Sequence, residues 1–275
     1  MTRPRFSSHR GAHFYPSEAS ATWEDQYGIR RAAGGCLKRS YYRITHSAEA
    51  APPDAYSQWI FALGNHVEEI LTEQLKEMGV WIGNSIRFYD TERNISGELD
   101  AVIRDSATGE LVGLEIKSFY GYHATRDLCG NKSVKGGPKT SQLMQTLVYV
   151  DQFRSTLPYF KMLYYARDSA SRTEFDITLT EDNGVHRPTI NGEIDYRFTL
   201  EDMYDRYELL AQHIENQEIP LPDFELRWGP EKVEQRKAVG EVSKTAYEKW
   251  TRNPQANPIG DWQCNYCPYK TTCWT

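Results

Sequence analysis

The run Gly97-Glu98-Leu99-Asp100-Ala101-Val102-Ile103, the turn Asp105-Ser106-Ala107-Thr108-Gly109, and the run Leu111-Val112-Gly113-Leu114-Glu115-Ile116-Lys117 constrain this chain more than any other stretch. Two extended apolar-rich segments around a cluster of turn formers read as a β-hairpin. A four-residue loop over Ser106 to Gly109 sets Arg104 against Leu111 and, farther along the ladder, Asp100 directly against Glu115. Directly opposed Cβ atoms lie about 4.5–5.5 Å apart, and like charges so placed destabilise a sheet. A hard divalent cation such as Mg2+ or Mn2+ removes the repulsion by taking carboxylate oxygens and keeping water in its other positions. Lys117 lies two residues beyond Glu115 and so shares its face, while Leu114 and Ile116 point into a core and leave the Ile116 carbonyl as a further ligand. Such a trio suits phosphodiester hydrolysis: the ion polarises a phosphoryl oxygen and acidifies a bound water, and Lys117 positions or deprotonates that water and neutralises developing charge. An ordinary hairpin with a surface ion pair has the same three residues, so the flanking sequence decides between the two.

Upstream, Ile60, Leu63, Val67, Ile70, Leu71, Leu75 and Met78 recur at helical spacing between Pro52-Pro53-Asp54 and Gly79, which predicts a helix from Ala55 to Met78. Extended segments are expected near Ser85 to Tyr89, Gly97 to Arg104 and Leu111 to Ser118. A Gly- and Lys-rich loop follows, ending in Gly136-Gly137-Pro138. Thr140 or Ser141 then caps a helix carrying Leu143, Met144, Leu147, Val148 and Phe153, and a strand runs near Lys161 to Ala166. Thr173 to Thr180 and Glu193 to Phe198 read as strands around a polar loop, and Thr199 caps a helix with Met203, Tyr207, Leu210 and Ile214 on one face. Beyond Pro220 the pattern weakens. The order helix, three strands, helix, strand predicts an α/β fold, a sheet flanked by helices. The expected division is a basic segment over 1–54, a core over 55–200 and a helical segment over 201–275.

The chain has 275 residues, a net charge of -6 and 39% hydrophobic residues, without an apolar run near the roughly 20 residues a membrane span needs. It reads as soluble and globular, and its polar start suggests no secretory signal and a cytoplasmic, reducing setting. The acidic sum argues against a protein that simply coats nucleic acid. Two stretches run the other way: residues 1–48 carry eight Lys/Arg against three Asp/Glu, and 118–141 hold Arg126, Lys132, Lys135 and Lys139 against Asp127.

His66, in Gly64-Asn65-His66, could bring an imidazole to the same ion, and Gln142, Gln145 and Tyr149 form one polar stripe on the later helix. Gly-x-His, Gly-x-x-Asp, Glu-Ile-Lys and Gln-x-x-x-Tyr in this order resemble the PD-(D/E)XK nuclease superfamily, and within it the RecB-like branch, over residues 55 to 166. The resemblance implies a restriction-endonuclease-like core. It further implies that His66, Asp100 and Glu115 bind the catalytic metal, that Lys117 is catalytic, and that Gln145 and Tyr149 orient Lys117 or the DNA. The proline that commonly precedes the aspartate is replaced by Leu99.

The tail holds Cys264, Cys267 and Cys273, a Cys-x2-Cys-x5-Cys pattern that lacks a fourth local ligand, and Cys36 can complete it from afar. Four thiolates hold either a [4Fe-4S] cluster or a structural zinc ion, with disulfide pairing as the other alternative, and Cys129 is left as a free thiol. The tail resembles the iron-sulfur RecB-like nucleases, including CRISPR-associated exonucleases and the AddB-type subunit. That resemblance implies a cluster joining the two ends, with the basic N-terminal stretch beside the core and Tyr41, Tyr42, Trp23 or Trp262 as stacking surfaces for DNA. The implied activity is an exonuclease on single-stranded DNA or duplex ends, in repair, CRISPR adaptation or phage recombination. The other readings are a non-catalytic DNA-binding or assembly module of the same fold and a zinc-stapled structural protein. No phosphate-binding Gly-x-x-x-x-Gly-Lys-Ser/Thr loop is present, so unwinding or integration would come from a helicase or integrase partner.

Overall fold

The computed structural model describes residues 13–131 and 135–274. Lys132, one of the loop lysines named above, and the arginines at 3, 5 and 10 lie outside the described residues. The elements in chain order are β1 (Ser20–Glu24), β2 (Arg30–Gly34), α1 (Leu37–Thr45), α2 (Ala55–Glu77), β3 (Trp81–Asp90), β4 (Ile95–Arg104), β5 (Leu111–Phe119), α3 (Tyr122–Cys129), α4 (Thr140–Phe153) and β6 (Phe160–Ala166). They continue with β7 (Arg172–Asp182), β8 (Val185–Ile190), β9 (Glu193–Ile194), α5 (Leu200–Glu215), α6 (Pro230–Ala238), α7 (Lys244–Arg252), α8 (Trp262–Asn265) and α9 (Lys270–Trp274). No helix among the described residues is long and apolar enough to cross a membrane.

The chain divides into two compact units, and the residues before Pro53 are shared between them. The first, residues 13–22, 33–35 and 53–209, holds a seven-stranded sheet in the order β3-β4-β5-β6-β7-β8-β9. This is a mixed α/β architecture consistent with a restriction-endonuclease-like core. All neighbours in the sheet are antiparallel except β5 and β6, which run parallel. A parallel pair needs a crossover, and α4 lies within it. The two faces are lined by alternate residues. Ala101, Ile103, Leu114, Ile116 and Leu163 pack beneath Leu71 of α2, joined by Val67 and Leu75. The opposite face meets α4, whose Leu143, Met144, Leu147 and Val148 have no solvent exposure. Gly113 is needed on that face, since a Cβ there would lie 2.2 Å from the Phe160 ring.

Local chemistry explains the boundaries. Asp54 caps α2 by accepting the Ser57 N–H at 2.7 Å. In the hairpin turn the Asp105 carboxylate accepts the amides of Ala107 and Thr108, and Gly109 takes a φ of +77° that favours glycine. Thr199 and Asp202 cap the start of α5 reciprocally, each side chain accepting the other's amide.

Several expectations change. The loop expected after β5 contains α3, whose one buried residue is Leu128. Neither Thr140 nor Ser141 caps α4; the cap position is Lys139, which makes no side-chain capping bond. The strand expected over Glu193 to Phe198 is only the two-residue β9, and the polar loop before it contains β8.

The second unit comprises Trp23–Ala32, Cys36–Pro52 and residues 210–274. In α1, Tyr41 and Tyr42 are each 5% exposed, and Tyr42 rests on Tyr269 with ring centroids 5.4 Å apart. They are core residues, which removes them as stacking surfaces for DNA; Trp262 stays exposed.

Candidate active site

β4 and β5 pair from Arg104↔Leu111 to Ala101↔Leu114, the register read from the loop length, and the ladder stops one rung short of the carboxylates. There the Asp100 side chain takes over the role of a backbone partner: its Oδ2 accepts the N–H of Ile116 at 2.7 Å. The strands part at this point, and Ser85, across β4 in β3, has a left-handed φ of +53° and is absent from the β3–β4 ladder. An interrupted sheet of this kind re-aims side chains at its open end.

Glu115 has no solvent exposure. Its Oε1 receives the Lys117 ammonium at 2.5 Å and the Gln145 amide at 2.8 Å, and the same amide also reaches the Tyr149 hydroxyl at 3.1 Å. The polar stripe of α4 therefore meets the hairpin at Glu115. The first residue of that stripe, Gln142, instead accepts the Tyr164 hydroxyl at 2.8 Å and braces α4 on β6. The other oxygen of Glu115, Oε2, is enclosed and has no hydrogen-bond partner. A buried orphan acceptor is costly and calls for an explanation.

Electrostatics sharpen the picture. Burial pushes the Glu115 carboxyl up to about 8, with Lys117 opposing and Asp100 adding to the rise. Burial likewise raises Asp100, against the pull of Lys117 and the Ile116 N–H. For Lys117 burial disfavours the charge, but the Glu115 and Asp100 carboxylates overcome it and hold the ammonium above its usual pKa. Lys117 in this arrangement is a cation that neutralises charge. Burial and the Glu115 charge push the Tyr149 phenol up, so it stays protonated beside the carboxylate.

The structure does not bring His66 to this group. Its ring is 67% exposed and lies 3.4 Å from Glu69 on the same helix. The physical reason is rotation: two residues turn a helix by about 200°, so when Gly64 and Leu71 face the sheet, His66 faces out. Gly64 lies against β5, where a Cβ would sit 3.9 Å from Ser118 Oγ. Glu68, four residues after Gly64 and three before Leu71, shares the inward stripe. Burial, then the Asp100 charge, raises the Glu68 carboxyl, and Lys117 opposes the rise. Glu68, which the motif reading passes over, is the α2 carboxylate that senses the Asp100 and Lys117 charges; the helical stripe of Gly64, Val67 and Leu71 was the signal that could have found it.

Among the described residues, no three His, Cys, Asp or Glu side chains close around a point that could hold a metal ion. Two carboxylates with the orphan Glu115 Oε2 nevertheless fit Mg2+ or Mn2+, which is held by one or two carboxylates, water and substrate phosphate. All five cysteines are free, so none of the disulfides considered above is formed. Cys36, Cys264, Cys267 and Cys273 all belong to the second unit. Burial and then the neighbouring Cys36 push the Cys264 thiol up to about 11, and Cys267 contributes to the rise of both Cys264 and Cys273. The thiols sense one another without forming a closed ligand cage. Cys129 is an exposed thiol at the end of α3.

No curated protein matches the chain. The solved crystal structure of SSO0001 is similar at 15% identity and a TM-score of 0.42, covering 98% of this chain and 89% of that one, a likeness too loose to support functional argument. A family model described as the PD-(D/E)XK nuclease superfamily matches residues 19–274. With a match running from Ala19 nearly to the last residue, the chain belongs to the PD-(D/E)XK nuclease superfamily.

Proposed function

We propose that this nuclease is a Mg2+- or Mn2+-dependent deoxyribonuclease, acting as an exonuclease on single-stranded DNA or duplex ends, with Asp100, Glu115 and Lys117 at its centre. The observation that carries the reading is the orphan Oε2 of fully buried Glu115, next to a lysine held charged and a second carboxylate at the splayed end of the hairpin. Asp100, Glu115 and the Ile116 carbonyl would hold the ion, with the Glu68 carboxylate of α2 adding negative charge nearby. The ion supplies Lewis acidity and an acidified water when bound. Lys117 neutralises charge developing on the phosphoryl oxygens. Gln145 fixes Glu115 through Oε1 and leaves Oε2 without a hydrogen bond, as the oxygen that would be available to an ion, and the protonated Tyr149 hydroxyl holds Gln145 in place.

The support for a [4Fe-4S] cluster on Cys36, Cys264, Cys267 and Cys273 is their common unit and mutual electrostatic reach. Iron and sulfide in anaerobically purified protein test it, and stoichiometric zinc without iron would refute it. The nuclease reading is tested with end-labelled DNA and Mn2+: wild-type protein should cut, and Asp100→Asn and Lys117→Ala should not. Equal cutting by either variant refutes the assignment.

A further inference from the structure

One member of the polar stripe on α4 has hydrogen-bond donors to spare. Gln145 spends its amide on Glu115 and Tyr149. Gln142, one turn earlier, is held by its oxygen, since its Oε1 accepts the Tyr164 hydroxyl at 2.8 Å. That hydroxyl accepts the Lys139 N–H at 3.2 Å, so its own proton is committed to Gln142, and turning the amide end for end would orphan that proton. The Gln142 amide nitrogen is therefore the free end. It donates to no group among the described residues and is not enclosed, so its N–H groups open to solvent.

The sheet sets where those donors lie. β5 and β6 run parallel with Lys117 beside Tyr164, and both side chains share the face that carries Glu115, because Leu114, Ile116 and Leu163 point to the other. α4 runs opposite to β5. Gln145 meets Glu115, and Gln142, about 4.5 Å back along the helix, meets Tyr164 at the level of Lys117. The Glu115 charge reaches this pair: burial raises the Tyr164 phenol, the Lys139 N–H opposes the rise, and Glu115 adds to it. In the strand order β4-β5-β6, the strand of Lys117 has Asp100 on one side and the Tyr164–Gln142 pair on the other. A phosphate at Asp100, Glu115 and Lys117 thus has the Gln142 donors beside it on the β6 side.

We infer that Gln142 binds the backbone phosphate adjoining the one at which DNA is cut, donating its amide N–H groups to a non-bridging oxygen, and that Tyr164 is the positioning residue that aims it. Holding the neighbouring phosphate fixes which phosphodiester lies at the reacting centre, and geometry of that kind is a large part of catalysis. The inference rests on the nuclease reading and adds a substrate contact that Gln145 does not supply, because the Gln145 amide is already taken by Glu115 and Tyr149.

Two substitutions at this position separate a grip on DNA from a brace between α4 and β6. Gln142→Glu keeps the acceptor that Tyr164 uses and replaces the donors by an anionic oxygen, whereas Gln142→Lys keeps donors and gives up the acceptor. The measurements are kcat and KM for cutting of end-labelled DNA with Mn2+, binding of fluorescein-labelled dT15 to the full chain in EDTA, and urea unfolding. Gln142→Glu should unfold like wild type, and should raise KM and weaken dT15 binding roughly 10- to 150-fold, the worth of a hydrogen bond to a charged group. Its kcat should stay within about threefold, as expected when binding is lost equally from ground and transition states. Gln142→Lys should keep dT15 affinity at or above that of wild type although its urea midpoint falls. Tyr164→Phe should weaken dT15 binding too, and add nothing in the Gln142→Glu background. Wild-type affinity in Gln142→Glu overturns the inference, and leaves the nuclease reading standing where the wild type cuts. Equal losses of affinity in the Glu and Lys variants also overturn it, since that pattern belongs to a brace. A wild type that never cuts, with dT15 binding weakened by Gln142→Glu and kept by Gln142→Lys, refutes the nuclease reading and leaves Gln142 as a phosphate contact.

Discussion

Replacing Glu115 by glutamine should make the metal-free protein more stable above neutral pH and remove its response to metal. The carboxyl is fully buried and its pKa rises from 4.5 to about 8, with burial as the main cause. At about 1.36 kcal/mol per pKa unit, that rise caps the linked contribution at roughly 5 kcal/mol. The sign follows from proton binding: the folded state holds a proton that the unfolded chain releases. The contribution is full below about pH 4.5 and is lost as pH rises through about 8. Urea unfolding in EDTA from pH 5 to 9, run on wild type and Glu115→Gln, isolates the effect of the Glu115 charge, its pull on Lys117 included, because groups that do not sense Glu115 cancel in the difference. Wild type should lose up to a few kcal/mol more than the variant across that range, and Mn2+ at pH 8 should restore the loss in wild type only. Parallel pH dependences, or equal stabilisation of both proteins by Mn2+, would refute the reasoning.

Three further outcomes are expected. Glu68→Gln should raise the Mn2+ concentration needed for half-maximal cutting about tenfold or more, while His66→Ala leaves it unchanged; a metal titration of cutting rate checks both. Gly113→Ala should destabilise the fold by about 1–3 kcal/mol in urea unfolding, because the added methyl meets the Phe160 ring. Tyr42→Ala should cost about 3–5 kcal/mol through the emptied space beside Tyr41 and Tyr269, yet leave dT15 affinity intact in protein kept folded at low temperature.

The hairpin and α2 were legible in the sequence because each rests on a periodic pattern with chemical punctuation. Alternating apolar residues and a turn cluster define β4 and β5, and Asp54 marks the start of α2. The register followed from the loop length, although the sequence did not reveal that Asp100 would end the ladder by bonding Ile116. Elements that bury little were not legible. The helix α3 rests on Leu128, α7 has no fully buried residue, and β8 carries Pro188 beside His186 and Arg187. The outward turn of His66 was not legible for another reason, since a motif spelled by letters ignores the angle between neighbours on a helix. Tyr41 and Tyr42 show the same limit, as aromatic composition does not say which face of α1 turns inward.

The bond from Asp100 to the Ile116 amide gives the carboxylate a structural duty beside the metal-binding one proposed for it, and selection cannot separate the two cleanly. Alanine at 100 would remove both the proposed metal ligand and the acceptor for a backbone donor between the strands, whereas asparagine keeps the acceptor. A lineage that lost cleavage but kept this fold should therefore keep aspartate or asparagine at 100, and could replace Lys117 only together with the buried Glu115 that it pairs with. A retained Asp100 is accordingly weak testimony to activity in a relative.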